Sequence, residues 1–159
     1  MEADYLKVNK DSWNKRTEIH FDSSFYDNES FVKGRSSLNE IELKILGDLK
    51  GKRVLHLQCH FGQDTLSLAR RGAQVTGVDL SDDAIERARH LATLAKLEGT
   101  FVRSDLYALP EVLDAQEAFD VVFTSWGTIG WLPDLSRWAA VLDHFLAPGG
   151  SFVMADFHP

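Results

Sequence analysis

Residues 74–85, Gln74-Val75-Thr76-Gly77-Val78-Asp79-Leu80-Ser81-Asp82-Asp83-Ala84-Ile85, change their period at a single acid. Up to Val78 the run is short, apolar and β-branched, the pattern of a buried strand. Beyond Asp79 the pattern is helical. Ser81 is placed to cap, Asp82 and Asp83 fall in a first turn where the macrodipole favours negative charge, and Ile85, Ala88, Leu91, Ala92 and Ala95 form one apolar face. Gly99 is expected to end this helix. Strand, acid, cap and helix together make half of a βαβ unit.

The same alternation extends in both directions. Val54-Leu55-His56-Leu57 reads as a preceding strand, and residues 61–72 turn into a helix that stops at Gly72. Downstream, Thr100–Ser104 and Phe119–Ser125 read as strands. Pro133 and Asp134 open a helix with the stripe Leu135, Trp138, Leu142 and Phe145, and after the breaker Pro148-Gly149-Gly150 a fifth strand is predicted over Ser151–Asp156. Strands linked by crossover helices predict an α/β fold with a parallel sheet. Upstream, Leu38, Ile41, Ile45 and Leu49 suggest one packed helix ended by Gly51. The chain is thus expected to be a single domain, with a core over residues 38–159 and a leader over residues 1–37. That leader carries Tyr5, Trp13, Phe21, Phe25, Tyr26 and Phe31, too aromatic for a disordered tail, and is expected to fold as helical pieces over the core like a lid.

Composition narrows the function. The 159 residues are 44% hydrophobic and 26% charged, as in an ordinary globular domain, and the net charge of −7 with no Lys/Arg run argues against a nucleic-acid partner. The first seven residues lack a basic and an apolar region, and no apolar run approaches the roughly 20 residues that span a bilayer, so a cytoplasmic protein with no membrane partner is expected. The single cysteine, Cys59, fits a reducing compartment and argues against a cysteine-rich zinc site; no metal ligands are expected.

In an open α/β sheet, ligands lie beyond the carboxyl ends of the strands, at the point where strand order reverses. Four loops qualify. The first, His56-Leu57-Gln58-Cys59-His60-Phe61-Gly62, leads into a helix N-terminus with Gly62 allowing close backbone approach. Gln63, Asp64 and Thr65 follow it and are placed to cap that helix. The second, Asp79-Leu80-Ser81, offers a carboxylate to ribose hydroxyls. The third, Ser104-Asp105-Leu106, offers another to an adenine amino group, with an apolar side chain for the ring face. The fourth runs from Ser125-Trp126 to Ile129, polar and aromatic.

Taken in order, residues 54–62, Val78-Asp79-Leu80-Ser81, Ser104-Asp105-Leu106, Phe119-Asp120-Val121-Val122 and Leu146-Ala147-Pro148-Gly149-Gly150 resemble the successive motifs of class I S-adenosylmethionine-dependent methyltransferases, in their small-molecule branch. The resemblance implies a Rossmann-like three-layer sandwich with sheet order 3-2-1-4-5, followed in that family by two further strands that this chain lacks. It implies S-adenosyl-L-methionine as cofactor. Gln58, Cys59, His60, Gly62 and Gln63 would hold its amino-acid end, Asp79 and Leu80 its ribose, Ser104, Asp105 and Leu106 its adenine, and Ser125 and Trp126 the reacting side. The first motif departs from the family pattern: His56, Gln58 and His60 stand where an acid and two glycines are usual.

Methyl transfer from a sulfonium is an in-line displacement, for which a protein supplies alignment and exclusion of water. The acceptor is expected to be a small molecule. Trp126 can face the sulfonium through cation–π attraction or anchor its loop. His20 and His158 have the right chemistry for a base, and neither is assigned as catalytic. Two alternatives stand beside this reading: a non-catalytic binding module that keeps the fold, and a nicotinamide-dependent oxidoreductase, against which the side chains at 58–60 argue. Without two last strands the sheet edge would be open, which suggests a fragment of a longer chain and a homodimer formed through that edge.

Overall fold

The computed structural model describes residues 2–158. Its elements in chain order are α1 (Glu2–Phe21), α2 (Asn28–Val32), α3 (Glu40–Leu46), β1 (Arg53–Leu57), α4 (Gln63–Arg70), β2 (Gln74–Asp79), α5 (Asp82–Ala95), β3 (Thr100–Arg103), α6 (Leu109–Val112), β4 (Phe119–Ser125), a 3-10 turn (Ile129–Trp131), α7 (Leu135–Phe145) and β5 (Leu146–Ala155). The strands form one sheet in the order β3-β2-β1-β4-β5, every pair parallel. The α/β class and the strand order expected from the sequence are both present. Order reverses between β1 and β4, and that is where the cleft opens.

Alternation along the central strands splits the core into two layers. Leu55, Leu57, Val78 and Val122 pack with Trp138, Leu142 and Phe145 of α7 on one face. Val54, Val75, Val121, Phe123 and Val153 turn to the other, against Leu46 and Leu68. On that face Phe31 of α2 and Phe61 join Ile85, Ala88 and Leu91 of α5. Ser81 caps α5 as its spacing predicts, its Oγ accepting the Ala84 N–H at 3.0 Å.

Several local expectations need correction. Helix α3 ends at Leu46, with Gly47 at φ 64 as its C-cap, so Gly51 does not terminate it. Its apolar stripe is also wrong: Ile41 and Ile45 are 64% and 60% exposed. Glu42 decides the facing, because its carboxylate accepts the Asn39 N–H and the Trp126 indole N–H, each at 2.5 Å, which turns Glu42 and Leu46 inward. Helix α5 stops at Lys96, which adopts φ 54, rather than at Gly99; a Cβ at Gly99 would stand 3.1 Å from Val75, so that glycine serves close packing. Leu135, first in α7, is half exposed, and Val141 takes its place in the core.

Strand β5 begins at Leu146, five residues before the predicted start. Phe119 pairs with Leu146 and Val121 with Ser151, so residues 147–150 bulge from the ladder. Gly150 is required there, since a Cβ would come within 2.9 Å of the Ala147 carbonyl. Within the leader, α1 runs for 20 residues and packs along α5, tied by the Ser81 hydroxyl, which donates to Asn14 Oδ1 at 2.6 Å.

Candidate cofactor-binding cleft

The loop from β1 to α4 carries three left-handed residues at alternate positions: Gln58 (φ 55), His60 (φ 52) and Gly62 (φ 80). This is a backbone shaped for glycines, and two of the three positions bear side chains instead. Gly62 has no such freedom, since a Cβ would lie 2.8 Å from Phe101 Cε1 and 3.2 Å from Ala88. The Gln58 amide donates to the Thr128 carbonyl at 3.0 Å, which leaves its Oε1 buried without a donor. Cys59 is buried beneath the loop, and burial pushes its thiol well above the usual range.

His60 meets the leader. Its Nε2 lies 3.1 Å from His20 Nδ1, and its ring packs edgewise on Trp13 and Tyr26. Burial first, then the neighbouring His20, bring its pKa down to about 3, so the imidazole is neutral; its Nδ1 is buried without a partner. The Gln63 amide is spent on the same segment, donating to the Tyr26 carbonyl at 2.8 Å and Asn28 Oδ1 at 2.7 Å.

Asp79 closes β2. Its Oδ2 accepts the His60 N–H at 2.8 Å and its Oδ1 the Ser81 N–H at 2.9 Å. Burial raises its pKa more than these bonds, with one from Leu80, lower it. Asp105 follows β3 beside buried Leu106, and the Ser104 hydroxyl turns back onto the Asp105 carbonyl at 2.7 Å.

These groups surround a cavity of about 490 Å³, in the range of small-molecule sites. Gln58, Cys59, His60, Gly62, Gln63, Asp79, Leu80, Ser125 and Trp126 all line it. Ser104, Asp105 and Leu106 line a smaller hollow of about 50 Å³, which shares Gln58, Asp79 and Leu80 with the first. Asp79 and Asp105 line the smaller hollow together, and Asp79 also lines the larger cavity. The leader covers it with Trp13, Phe25 and Tyr26.

Other lining residues escape sequence reasoning. None of Gln63, Asp64 and Thr65 caps α4; Gly62 takes the N-cap position and offers no side chain. Thr65 bonds instead to buried His56, Oγ1 to Nδ1 at 2.7 Å, while His56 Nε2 meets Ser125 Oγ at 3.0 Å. Ser125 donates to Asp64 Oδ2 at 2.8 Å, and Ser37 donates to Asp64 Oδ1 at 2.6 Å. With the Ser125 proton on Asp64, the chain of bonds is satisfied when His56 carries its proton on Nε2 and accepts from Thr65. Burial outweighs the attraction of Asp64 and lowers the His56 pKa to about 4, so this imidazole too is neutral. Ser37, His56, Asp64 and Ser125 lie in four separate segments, and only the polar character of His56 within an apolar strand signals the network.

Trp126 is fastened on both sides: its indole N–H reaches Glu42, and its backbone N–H donates to the Ala155 carbonyl at 2.6 Å. Burial raises the Glu42 pKa. Asp156 accepts the Gly127 N–H at 2.8 Å and the Phe157 N–H at 2.7 Å; these and further backbone bonds outweigh desolvation and lower its pKa. Trp126 is thus an anchored wall of the cleft. Among the described residues no cluster of His, Cys, Asp or Glu is arranged to hold a metal ion. The carboxylates of Asp79 and Asp64 on the wall of this cavity, and of Asp105 beside it, suit a ligand that brings hydroxyl and ammonium donors, which S-adenosylmethionine does.

Comparison with known proteins agrees. The methyltransferase domain family matches residues 54–150. An uncharacterized methyltransferase from Synechocystis is 32% identical over 128 residues, covering 80% of this chain and 57% of that protein. A ubiquinone biosynthesis O-methyltransferase from Alkalilimnicola ehrlichii is 29% identical over 138 residues, covering 84% and 54%. The crystal structure of an S-adenosylmethionine-dependent methyltransferase from Mesorhizobium loti superposes with a TM-score of 0.62 at 29% identity, covering 77% and 53%. The chain spans about half the length of these relatives.

Proposed function

The chain belongs to the class I S-adenosylmethionine-dependent methyltransferase family, and from that premise we propose that it transfers a methyl group from the cofactor to a small-molecule acceptor. The observation that carries this reading is the joint cleft of Asp79 and Asp105, one carboxylate at each of two adjacent parallel strand ends. The names of relatives such as the ubiquinone biosynthesis O-methyltransferase support a small acceptor, as does the acidic surface, which disfavours nucleic acid.

Asp79 and Leu80 bind the ribose, and Ser104, Asp105 and Leu106 the adenine. The loop Gln58, Cys59, His60, Gly62 and Gln63 takes the amino-acid end, with Ser125 and Trp126 toward the reacting side. The bound cofactor supplies an activated methyl on sulfur, open to in-line attack. This chain's own contribution is orientation by Asp79 and exclusion of water by the leader aromatics Trp13, Phe25 and Tyr26. Residues 1–37 act as a lid and residues 38–159 as the cofactor-binding core, in a cytoplasmic protein whose one thiol is buried. Among the described residues no helix is long and apolar enough to cross a membrane.

Titration calorimetry with S-adenosylhomocysteine and with a nicotinamide dinucleotide tests the assignment. Saturable binding of the first alone is expected; binding of the dinucleotide instead would overturn it. Homodimerisation through β5 is a second element of the proposal, supported by the unpaired outer edge of that strand and by Met154 and Phe157, 43% and 75% exposed. Sedimentation velocity should then show a concentration-dependent dimer, and a monomer at all concentrations would remove it.

A further inference from the structure

Asp64 is half-buried on the cavity wall, yet none of the ion pairs among the described residues includes it. Its two bonds come from hydroxyls, those of Ser37 and Ser125, while an ionised carboxylate accepts about four. Acceptor capacity therefore remains on a charge withdrawn from bulk water. The other acids nearby are more fully engaged by the protein: Asp79 accepts backbone N–H groups of His60, Ser81 and Leu80, which leaves it room for the ribose alone, and both Glu42 oxygens hold α3 and Trp126. Gln58 lines the same cavity, and its Oε1 is buried without a donor. A half-buried carboxylate with acceptor sites left over, on the wall of a cavity, asks for a cation with N–H donors.

We propose that Asp64, held in place by Ser37 and by the His56–Ser125 pair, is the residue that binds the α-ammonium group of the cofactor. The inference rests on the reading that this cavity holds S-adenosylmethionine. It explains the histidine at position 56. An acid at the end of β1 would be too close to Asp64 in the same chain of hydrogen bonds, whereas a neutral imidazole donates to Ser125 and turns the Ser125 proton onto Asp64. Arg35, lining the same cavity, supplies the opposite charge for a zwitterionic ligand.

The test pairs a variant with a ligand that lacks one group. Affinities of the whole chain and of Asp64→Asn are measured by calorimetry for S-adenosylhomocysteine and for its analogue without the α-amino group. Asp64→Asn should weaken S-adenosylhomocysteine by about 10- to 100-fold, as expected for a lost charge-assisted bond, and leave the analogue unchanged. Equal losses for both ligands, or no loss for either, overturn the assignment. Ser37→Ala, in a loop outside the sheet, provides a second reading should Asp64→Asn fold poorly. It should weaken only the amino-bearing ligand, by about threefold to tenfold, and an equal effect on both ligands counts against the proposal. Failure of the unaltered chain to bind either ligand would instead overturn the cofactor reading, and this inference with it.

Discussion

Nδ1 of His20, near the end of α1, lies 3.1 Å from Nε2 of His60 in the β1–α4 loop, so the leader touches the cleft through two imidazoles of which one must donate and the other accept. Both are shifted toward the neutral form, His60 to about 3 and His20 by burial and then by Arg16. Protonating both would set two donors against each other.

Acid should therefore loosen the fold through these imidazoles. A histidine whose folded pKa is depressed contributes its full stability above the unfolded value of 6.5 and loses it as pH falls toward the folded value. For His56, at about 4, the loss is about 1.4 kcal/mol per pH unit below 6.5. Asp79 and Glu42 have raised values and act oppositely, because their burial favours the protonated form as pH falls. Urea unfolding at pH 7.0, 6.0 and 5.5 should show a steady decline, and His56→Gln should flatten it.

Asp79→Asn should weaken S-adenosylhomocysteine by about 10- to 100-fold, because an amide has one acceptor oxygen where the carboxylate has two. The loop should persist, since one of the two backbone N–H bonds can be kept. Calorimetry for affinity and circular dichroism for the fold separate these effects; an unchanged affinity would exclude Asp79 from the ligand site.

Gly62→Ala should destabilise the protein by about 1–3 kcal/mol, from the added methyl pressed on Phe101 and from the positive φ together. His60→Gly sits at a similar φ and gains backbone ease but loses the contacts with His20, Trp13 and Tyr26. Denaturant midpoints should fall clearly for the first, while the second should free the leader, read as faster proteolysis within α1.

Trp126→Phe should cost about 1–3 kcal/mol, because Glu42 Oε1 is left buried without its donor. Glu42→Gln should cost less, since its amide oxygen can still accept one bond. Reversal of that order in urea unfolding would show that the indole contributes through packing alone.

The frame of the molecule was legible wherever one segment carried its own signal. Ser81 beside Asp79 announced a cap, and the apolar run before it announced a strand; both hold because strand and helix patterns are local. The two strand-end acids followed from topology. What stayed hidden depends on convergence. Asp64 looked like a helix-capping residue until Ser37 and Ser125 arrived from 27 and 61 residues away. Ile41 and Ile45 misled because a single acid, Glu42, outbid their hydrophobicity by satisfying two buried donors at once.

The chain of bonds from Thr65 through His56 and Ser125 to Asp64 has an evolutionary consequence. A lineage that placed an acid at position 56 would bring a second negative charge onto the same serine, so drift at 56 and at 64 cannot be independent. Descendants should carry histidine with aspartate, or acid with a neutral partner, and the intermediate bearing both acids should be a valley that few sequences cross.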